Sequence, residues 1–214
     1  MFAGQTILMK FVYNQDNFMS KNWELAYLNN NTPWDKGKPS PGIREWLTRN
    51  RLLGKGLVLG CGYGYDVRLL AQYNKSVVGI DISMTAIRAA NSFEKVSNEI
   101  YHNCDFFSNL PFEEHQFDWV VEHTFFCAIE KPLRNLYVLN LIRNLKPKGR
   151  FLAIFFLKTS TNSESEEGPP YKIKRENIIS YFDPYFEVLD TCIPTKSYNC
   201  RPYGSEIIYY FQLK

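Results

Sequence analysis

A short apolar run, Gly56-Leu57-Val58-Leu59, passes directly into Gly60-Cys61-Gly62-Tyr63-Gly64 and then into a helical-looking stretch over 65–73. That order reads as a buried strand, a tight turn and the start of a helix, the opening unit of a doubly wound α/β fold. The alternation continues along the chain. Mainly apolar segments at 57–60, 76–80, 100–103, 117–122 and 150–157, mostly bounded by Gly, Asp or Asn, are expected strands, with helices between them. Ser83 is an expected N-cap for a helix over 84–93, and Pro132 stands early in a helix over 133–145, where its missing N–H has no partner to lose. Lys146-Pro147-Lys148-Gly149 is expected to end that helix in a turn. Two last strand-like runs, 186–193 and 205–213, are joined by a loop too short for a crossover helix and should pair antiparallel. The expectation is a Rossmann-like α/β fold: a mainly parallel seven-stranded sheet with an antiparallel last strand, preceded by an N-terminal helical cap.

The glycine spacing narrows the ligand. Asp81 follows the turn at about the distance expected of a carboxylate that grips a ribose, which marks a nucleoside-cofactor site. A dinucleotide fingerprint would need a third glycine at position 65, where this chain has Tyr65. Gly60, Gly62 and Gly64 instead crowd into one turn, bringing backbone close to a compact ligand and offering helix N–H groups to a small anion such as an amino-acid carboxylate. S-Adenosyl-L-methionine has both parts, and S-adenosyl-L-homocysteine would be its product.

Composition removes other classes. At 214 residues the chain suits one domain, 1–214, with an aromatic cap arm over 1–50 and a cap loop over 158–172. The net charge of +3 is dispersed, so no nucleic-acid partner is expected. Five cysteines without C-x-x-C pairing indicate neither a disulfide framework nor a metal site, and point to a cytoplasmic protein. The first dozen residues, interrupted by Gln5 and Lys10, resemble neither a signal peptide nor a membrane span, and a monomer is expected. In the cap loop, the half carrying Ser163-Glu164-Ser165-Glu166-Glu167 has the composition of a mobile loop. Gly168-Pro169-Pro170-Tyr171 is stiff enough to place one ring.

Trp23, Tyr27 and Thr32-Pro33-Trp34-Asp35-Lys36-Gly37, followed by the glycine turn, Val78-Gly79-Ile80-Asp81, Cys104-Asp105-Phe106-Phe107 and Thr124-Phe125-Phe126-Cys127-Ala128-Ile129, resemble the thiopurine S-methyltransferase superfamily. The last of these stretches and Gly168-Pro169-Pro170-Tyr171 are most similar to its halide and thiol (thiocyanate) methyltransferase branch. The resemblance runs from about residue 18 to about 175 and implies a class I S-adenosylmethionine-dependent methyltransferase fold. It implies cofactor contacts at Trp23, Tyr27, Trp34, Gly60, Gly62, Gly64, Asp81, Asp105, Phe106 and His123, and an acceptor pocket near Phe125, Tyr171 and Arg201. Many methyltransferases carry an acid two positions before the first glycine; Val58 stands there, as is usual in this family. Tyr27 and His123 depart from the Trp and Tyr of plant relatives.

The residues allow these roles on physical grounds. Asp81 and Asp105, at successive strand ends, can accept from the ribose hydroxyls and the adenine amino group, or can cap the turns they sit in. Trp23 and Tyr27, four apart on a helix, either enclose the sulfonium with Trp34 or cover core. A sulfonium methyl is already activated, so the protein has to align and dry the nucleophile, without a metal. His102 and His115 lie in turn-like surroundings, leaving His123 as the one histidine to test as a proton acceptor. Cys61 and Cys127 are expected to be small apolar residues rather than nucleophiles. The leading expectation is a methyltransferase acting on a halide, thiocyanate, hydrosulfide or small thiol by direct displacement. A thiopurine-type enzyme using Arg201 against a heterocycle, and a cofactor-binding protein without catalysis, are the alternatives.

Overall fold

The computed structural model describes residues 21–108, 110–157 and 168–214. Residues 1–20 of the expected arm and the acidic half of the expected cap loop lie outside them. The arm supplies α1 (Trp23–Leu28) and α2 (Pro41–Trp46); then come β1 (Gly56–Leu59), α3 (Tyr65–Ala71), β2 (Val77–Asp81), α4 (Met84–Ser92), β3 (Ile100–Asn103) and β4 (Phe117–His123). Two 3₁₀ turns lead into α5 (Arg134–Asn144), followed by β5 (Leu145–Phe156), α6 (Arg175–Phe182), β6 (Phe186–Cys192) and β7 (Glu206–Leu213). Among the described residues no helix is long and apolar enough to cross a membrane.

The seven strands form one sheet in the order β3-β2-β1-β4-β5-β7-β6. β1 pairs parallel with β2 and with β4, and β4 with β5, while β7 runs antiparallel to both β5 and β6. The sheet therefore turns outward in both directions from β1, and ligands of such sheets bind beyond the carboxyl ends of the strands at that reversal. All four residues of β1 are buried, as a central parallel strand covered on both faces requires. Alternation divides the core: Leu57, Leu59, Phe151 and Phe155 join the aromatic-rich cluster around Tyr137 and Phe182, and Val58, Leu152 and Ile154 join the opposite one around Ile43, Trp46 and Trp119. Each fully buried side chain of this size contributes roughly 1.5–3 kcal/mol. Gly56 is needed because a Cβ there would lie 2.0 Å from the Trp119 indole.

The expected turn at 146–149 lies within the span of β5. α5 ends at Asn144, but Leu145 already pairs with Phe117, and the register resumes only at Trp119 with Arg150. The intervening residues form an irregularity in which Lys148 takes φ +61°. Turn-favouring residues have produced a bulge because the strand begins before them. α4 starts where expected: the Ser83 hydroxyl accepts from the Ala86 N–H at 3.1 Å. The same hydroxyl donates to Glu24 of α1 at 2.6 Å, and Glu24 also accepts from the Thr85 N–H at 3.1 Å and the Thr85 hydroxyl at 2.6 Å. Those bonds dock the arm across the carboxyl end of the sheet.

Candidate functional site

The turn after β1 is built around Asp81, the last residue of β2. One Asp81 oxygen accepts from the Gly62 N–H at 2.8 Å and the other from the Ser83 N–H at 2.9 Å. Gly60 and Gly62 have φ of +54° and +51°, and added Cβ atoms would meet the Phe125 ring at 2.5 Å and the Tyr27 hydroxyl at 2.9 Å. Backbone conformation and close approach thus both select glycine here. Gly64 is the N-cap of α3. The expectation that this turn offers free N–H groups to a small anion is corrected at three positions. Cys61 N–H donates to Ile80 O at 2.9 Å, Gly64 N–H to Cys61 O at 2.8 Å, and Gly62 N–H to Asp81.

Above the turn lies a cavity of about 420 Å³, within the range of cofactor sites. Gly60, Asp81, Ile82, Asp105, Phe106 and Phe107 wall one side. Lys21, Trp23, Tyr27, Trp34 and Lys36 of the arm close over it, and Phe125, Cys127, Ala128, Ile129, Phe156, Pro169, Pro170 and Arg201 form the remaining wall. The arm's rings support one another: Trp34 Nε1 donates to the Tyr27 hydroxyl at 3.1 Å, and Trp23 and Trp34 meet edge to face with centroids 5.1 Å apart. Burial raises Asp81 to about 6, against the lowering effect of the Ser83 and Gly62 amides. Asp105 accepts from the Phe107 N–H at 2.9 Å, and Phe106 packs edge to face on Phe125 and Tyr137. Burial pushes the thiols of Cys104 and Cys127 to about 12.

The cavity therefore gathers Trp23, Tyr27, Trp34, Gly60, Asp81, Asp105, Phe106, Phe125 and Arg201 from the sequence-predicted set. Gly62 and Gly64 shape the turn without lining it. His123 and Tyr171 are corrections. The His123 ring is not on the wall: Nδ1 faces Asp66 at 3.4 Å and Nε2 faces Glu206 at 3.2 Å. Arg201 Nη1, 3.0 Å from Nε2, pairs with the same Glu206 oxygen. Burial alone would lower His123, but hydrogen bonds to Asp66 and Glu206 outweigh it and raise the imidazole to about 9. It is an imidazolium at neutral pH and has no lone pair for a proton. His102 belongs to β3 rather than to a turn. Tyr171 fastens the wall through its backbone, its N–H donating to Cys127 O and its carbonyl accepting from Arg134 Nη2, each at 2.6 Å, and Pro169 and Pro170 face the cavity instead.

Three contributors escape sequence reasoning. Buried Glu122 accepts from the Phe125 and Phe126 N–H groups at 3.0 and 2.9 Å, fixing the turn that carries Phe125. Arg134 is a buried guanidinium 4.6 Å over the Phe126 ring. Lys21 closes the arm end of the cavity. The only early signal was an acid at the end of β4; the two cations look like ordinary polar helix-face and pre-helix residues.

Comparison with known proteins agrees with this geometry. The profile of the thiopurine S-methyltransferase (TPMT) family matches residues 18–193. The chain is 38% identical over 159 residues to a probable thiol methyltransferase 2 of Arabidopsis thaliana, covering 72% of this chain and 68% of that protein. It is 35% identical over 156 residues to thiocyanate methyltransferase 1 of the same plant, covering 71% and 66%. The chain thus spans about two thirds of the length of these relatives. Among solved structures, the N-methyltransferase NodS from Bradyrhizobium japonicum WM9, in complex with S-adenosyl-L-homocysteine, superposes with a TM-score of 0.68 at 17% identity, covering 90% of this chain and 99% of that one. Magnesium protoporphyrin IX methyltransferase from Synechocystis PCC 6803, with the same bound product, gives 0.63 at 18% identity and covers 80% of each chain. The fold is that of the class I S-adenosylmethionine-dependent methyltransferases.

Proposed function

We propose, because the chain belongs to the thiopurine S-methyltransferase family and is an S-adenosylmethionine-dependent methyltransferase, that it transfers the methyl group to a small soft nucleophile: a halide, thiocyanate, hydrosulfide or small thiol. The names of the thiol and thiocyanate methyltransferase relatives point the same way. The observation that carries the reading is the acceptor-side wall, where Phe125, Cys127, Ala128, Ile129, Phe156, Pro169 and Pro170 are joined by Arg201, a cation already paired with Glu206. That wall suits a polarisable nucleophile needing little hydration and, among the described residues, offers it no histidine or carboxylate as proton acceptor. A thiopurine-type acceptor is less well served, because the arginine it would use is engaged.

The residues present fit S-adenosylmethionine: acids at the ends of adjacent strands, a glycine turn with no space for a Cβ, and rings able to hold a cation. Bound there, it supplies an activated methyl group. In this reading Asp81 accepts from the ribose hydroxyls, while Asp105 and Phe106 hold the base. Trp23, Tyr27 and Trp34 enclose the sulfonium and exclude water, each good cation–π contact contributing about 0.5–2 kcal/mol. Glu122 keeps Phe125 in place, and alignment with dehydration carries an in-line displacement. Positive charge on Arg201 and Arg134 favours an anionic acceptor. The whole chain is read as one methyltransferase domain, acting as a cytoplasmic monomer. An acceptor panel scored by S-adenosylhomocysteine formation tests the proposal. Iodide and thiocyanate turnover should stay flat from about pH 6 to 9 while hydrosulfide turnover rises as its own proton leaves. Turnover confined to aromatic heterocyclic thiols would overturn it.

A further inference from the structure

The amino-acid end of S-adenosylmethionine carries a carboxylate that the glycine turn is poorly placed to receive, since the N–H groups of Cys61, Gly62 and Gly64 are spent within the protein. The cavity's acids, Asp81 and Asp105, stand together on the nucleoside side, where they suit hydroxyl and amino donors and repel a carboxylate. Two ammonium groups stand on the arm side. Lys36 donates to the carbonyl of Pro33. Lys21 holds Nζ 4.2 Å from the Trp34 ring centroid and 5.0 Å from that of Trp23, and no carboxylate among the described residues lies within ion-pair reach of it.

We propose that Lys21 is the cofactor-binding residue that receives the methionine carboxylate, held ready for it by Trp34 and Trp23. The two rings fix a flexible ammonium at the cavity mouth without neutralising it, which a carboxylate partner from the protein would do. Partial burial, which lowers the Lys21 pKa, strengthens its pairing with a ligand anion relative to an exposed lysine. The charge pattern then sets the cofactor's direction in the cavity, with donors toward Asp81 and Asp105 and the carboxylate toward the arm. The inference rests on the cofactor and is independent of which acceptor is methylated.

Calorimetric titration without acceptor tests it, using S-adenosylhomocysteine and 5′-methylthioadenosine, which keeps the nucleoside and the sulfur but lacks the amino acid. Lys21→Met should weaken S-adenosylhomocysteine about tenfold, between the effect of an exposed pair and that of a buried charge-assisted bond, and leave methylthioadenosine within about twofold. Lys21→Arg should restore most of the loss. The reciprocal deletion uses the unaltered protein: decarboxylated S-adenosylhomocysteine should bind about tenfold more weakly than the parent, and Lys21→Met should add nothing to that loss. Equal weakening of both ligands by Lys21→Met would make Lys21 a prop for the arm, and full additivity of the two deletions would place the carboxylate elsewhere. Selective tightening of S-adenosylmethionine in Lys21→Met would mean that the ammonium competes with the sulfonium for the rings. Each of these results overturns the proposal.

Discussion

Acidification should loosen the cofactor through Asp81. Burial holds this carboxyl at about 6, above its ordinary 3.8, while both of its oxygens serve the Gly62 and Ser83 N–H groups. Ribose hydroxyls and these amides all require an acceptor, so the ionised form binds and the protonated form does not. With a pKa near 6, roughly a tenth of the free protein is ionised at about pH 5 and nearly all at about pH 7.5, so the apparent Kd should rise about tenfold between them. The direction follows from linkage: binding favours the deprotonated group and must release a proton on the acid side of its pKa. Calorimetric titration of S-adenosylhomocysteine across this range, repeated in buffers of different ionisation enthalpy, reads both the affinity and the proton. Asp81→Asn should bind more weakly at neutral pH, by about one to two orders of magnitude, and lose the slope. A flat affinity from about pH 5 to 7.5 with no proton released, in protein that remains folded, would refute the reasoning.

Gly62→Ala should destabilise the protein by about 1–3 kcal/mol and weaken cofactor binding at least tenfold, because φ +51° is strained for alanine and its Cβ would strike the Tyr27 hydroxyl. Gly37→Ala, also at positive φ but with nothing within 4 Å, should cost only the backbone and leave binding nearly unchanged; chemical denaturation and titration separate the two. His123→Phe should cost about 3 kcal/mol at neutral pH by uncovering Asp66 and Glu206 while keeping iodide turnover within about tenfold. His123 has a folded pKa of about 9, above its ordinary 6.5, so its stabilisation is complete below about 6.5 and is lost as pH rises through 9. The variant should lack that alkaline decline in thermal stability, and a fall in turnover of more than a hundredfold with binding intact would return His123 to the transfer step.

The sheet was legible because each central strand is a contiguous apolar run whose ends carry Gly, Asp or Asn, and the antiparallel finish followed from the short connection before β7. The start of β5 was not, since local turn chemistry at Lys146-Pro147-Lys148-Gly149 masks a strand that begins at Leu145. Asp81 and Asp105 could be placed beside a cavity because strand ends converge in this topology. His123 could be placed near it but not oriented. Glu206, which holds its ring, comes 83 residues later, and no local pattern records such an encounter. Tyr171 failed for a different reason: a stiff Pro-Pro pair says that something is positioned, and here it is the prolines and the backbone of Tyr171 that form and fasten the wall.

Glu24 gives the arm a particular mechanical character. α1 buries Ala26 and Tyr27, and its tie to α4 is made by one carboxylate grasping Ser83 and Thr85, groups that water can replace in kind. Lifting α1 therefore breaks polar bonds that hydration largely repays and leaves the two apolar clusters beside the sheet whole. The arm is a latch whose opening is uncoupled from global unfolding, so exchange of spent cofactor for fresh can be frequent in a protein whose core stays closed. Its escape rate is set by how firmly two hydroxyls and an amide hold Glu24.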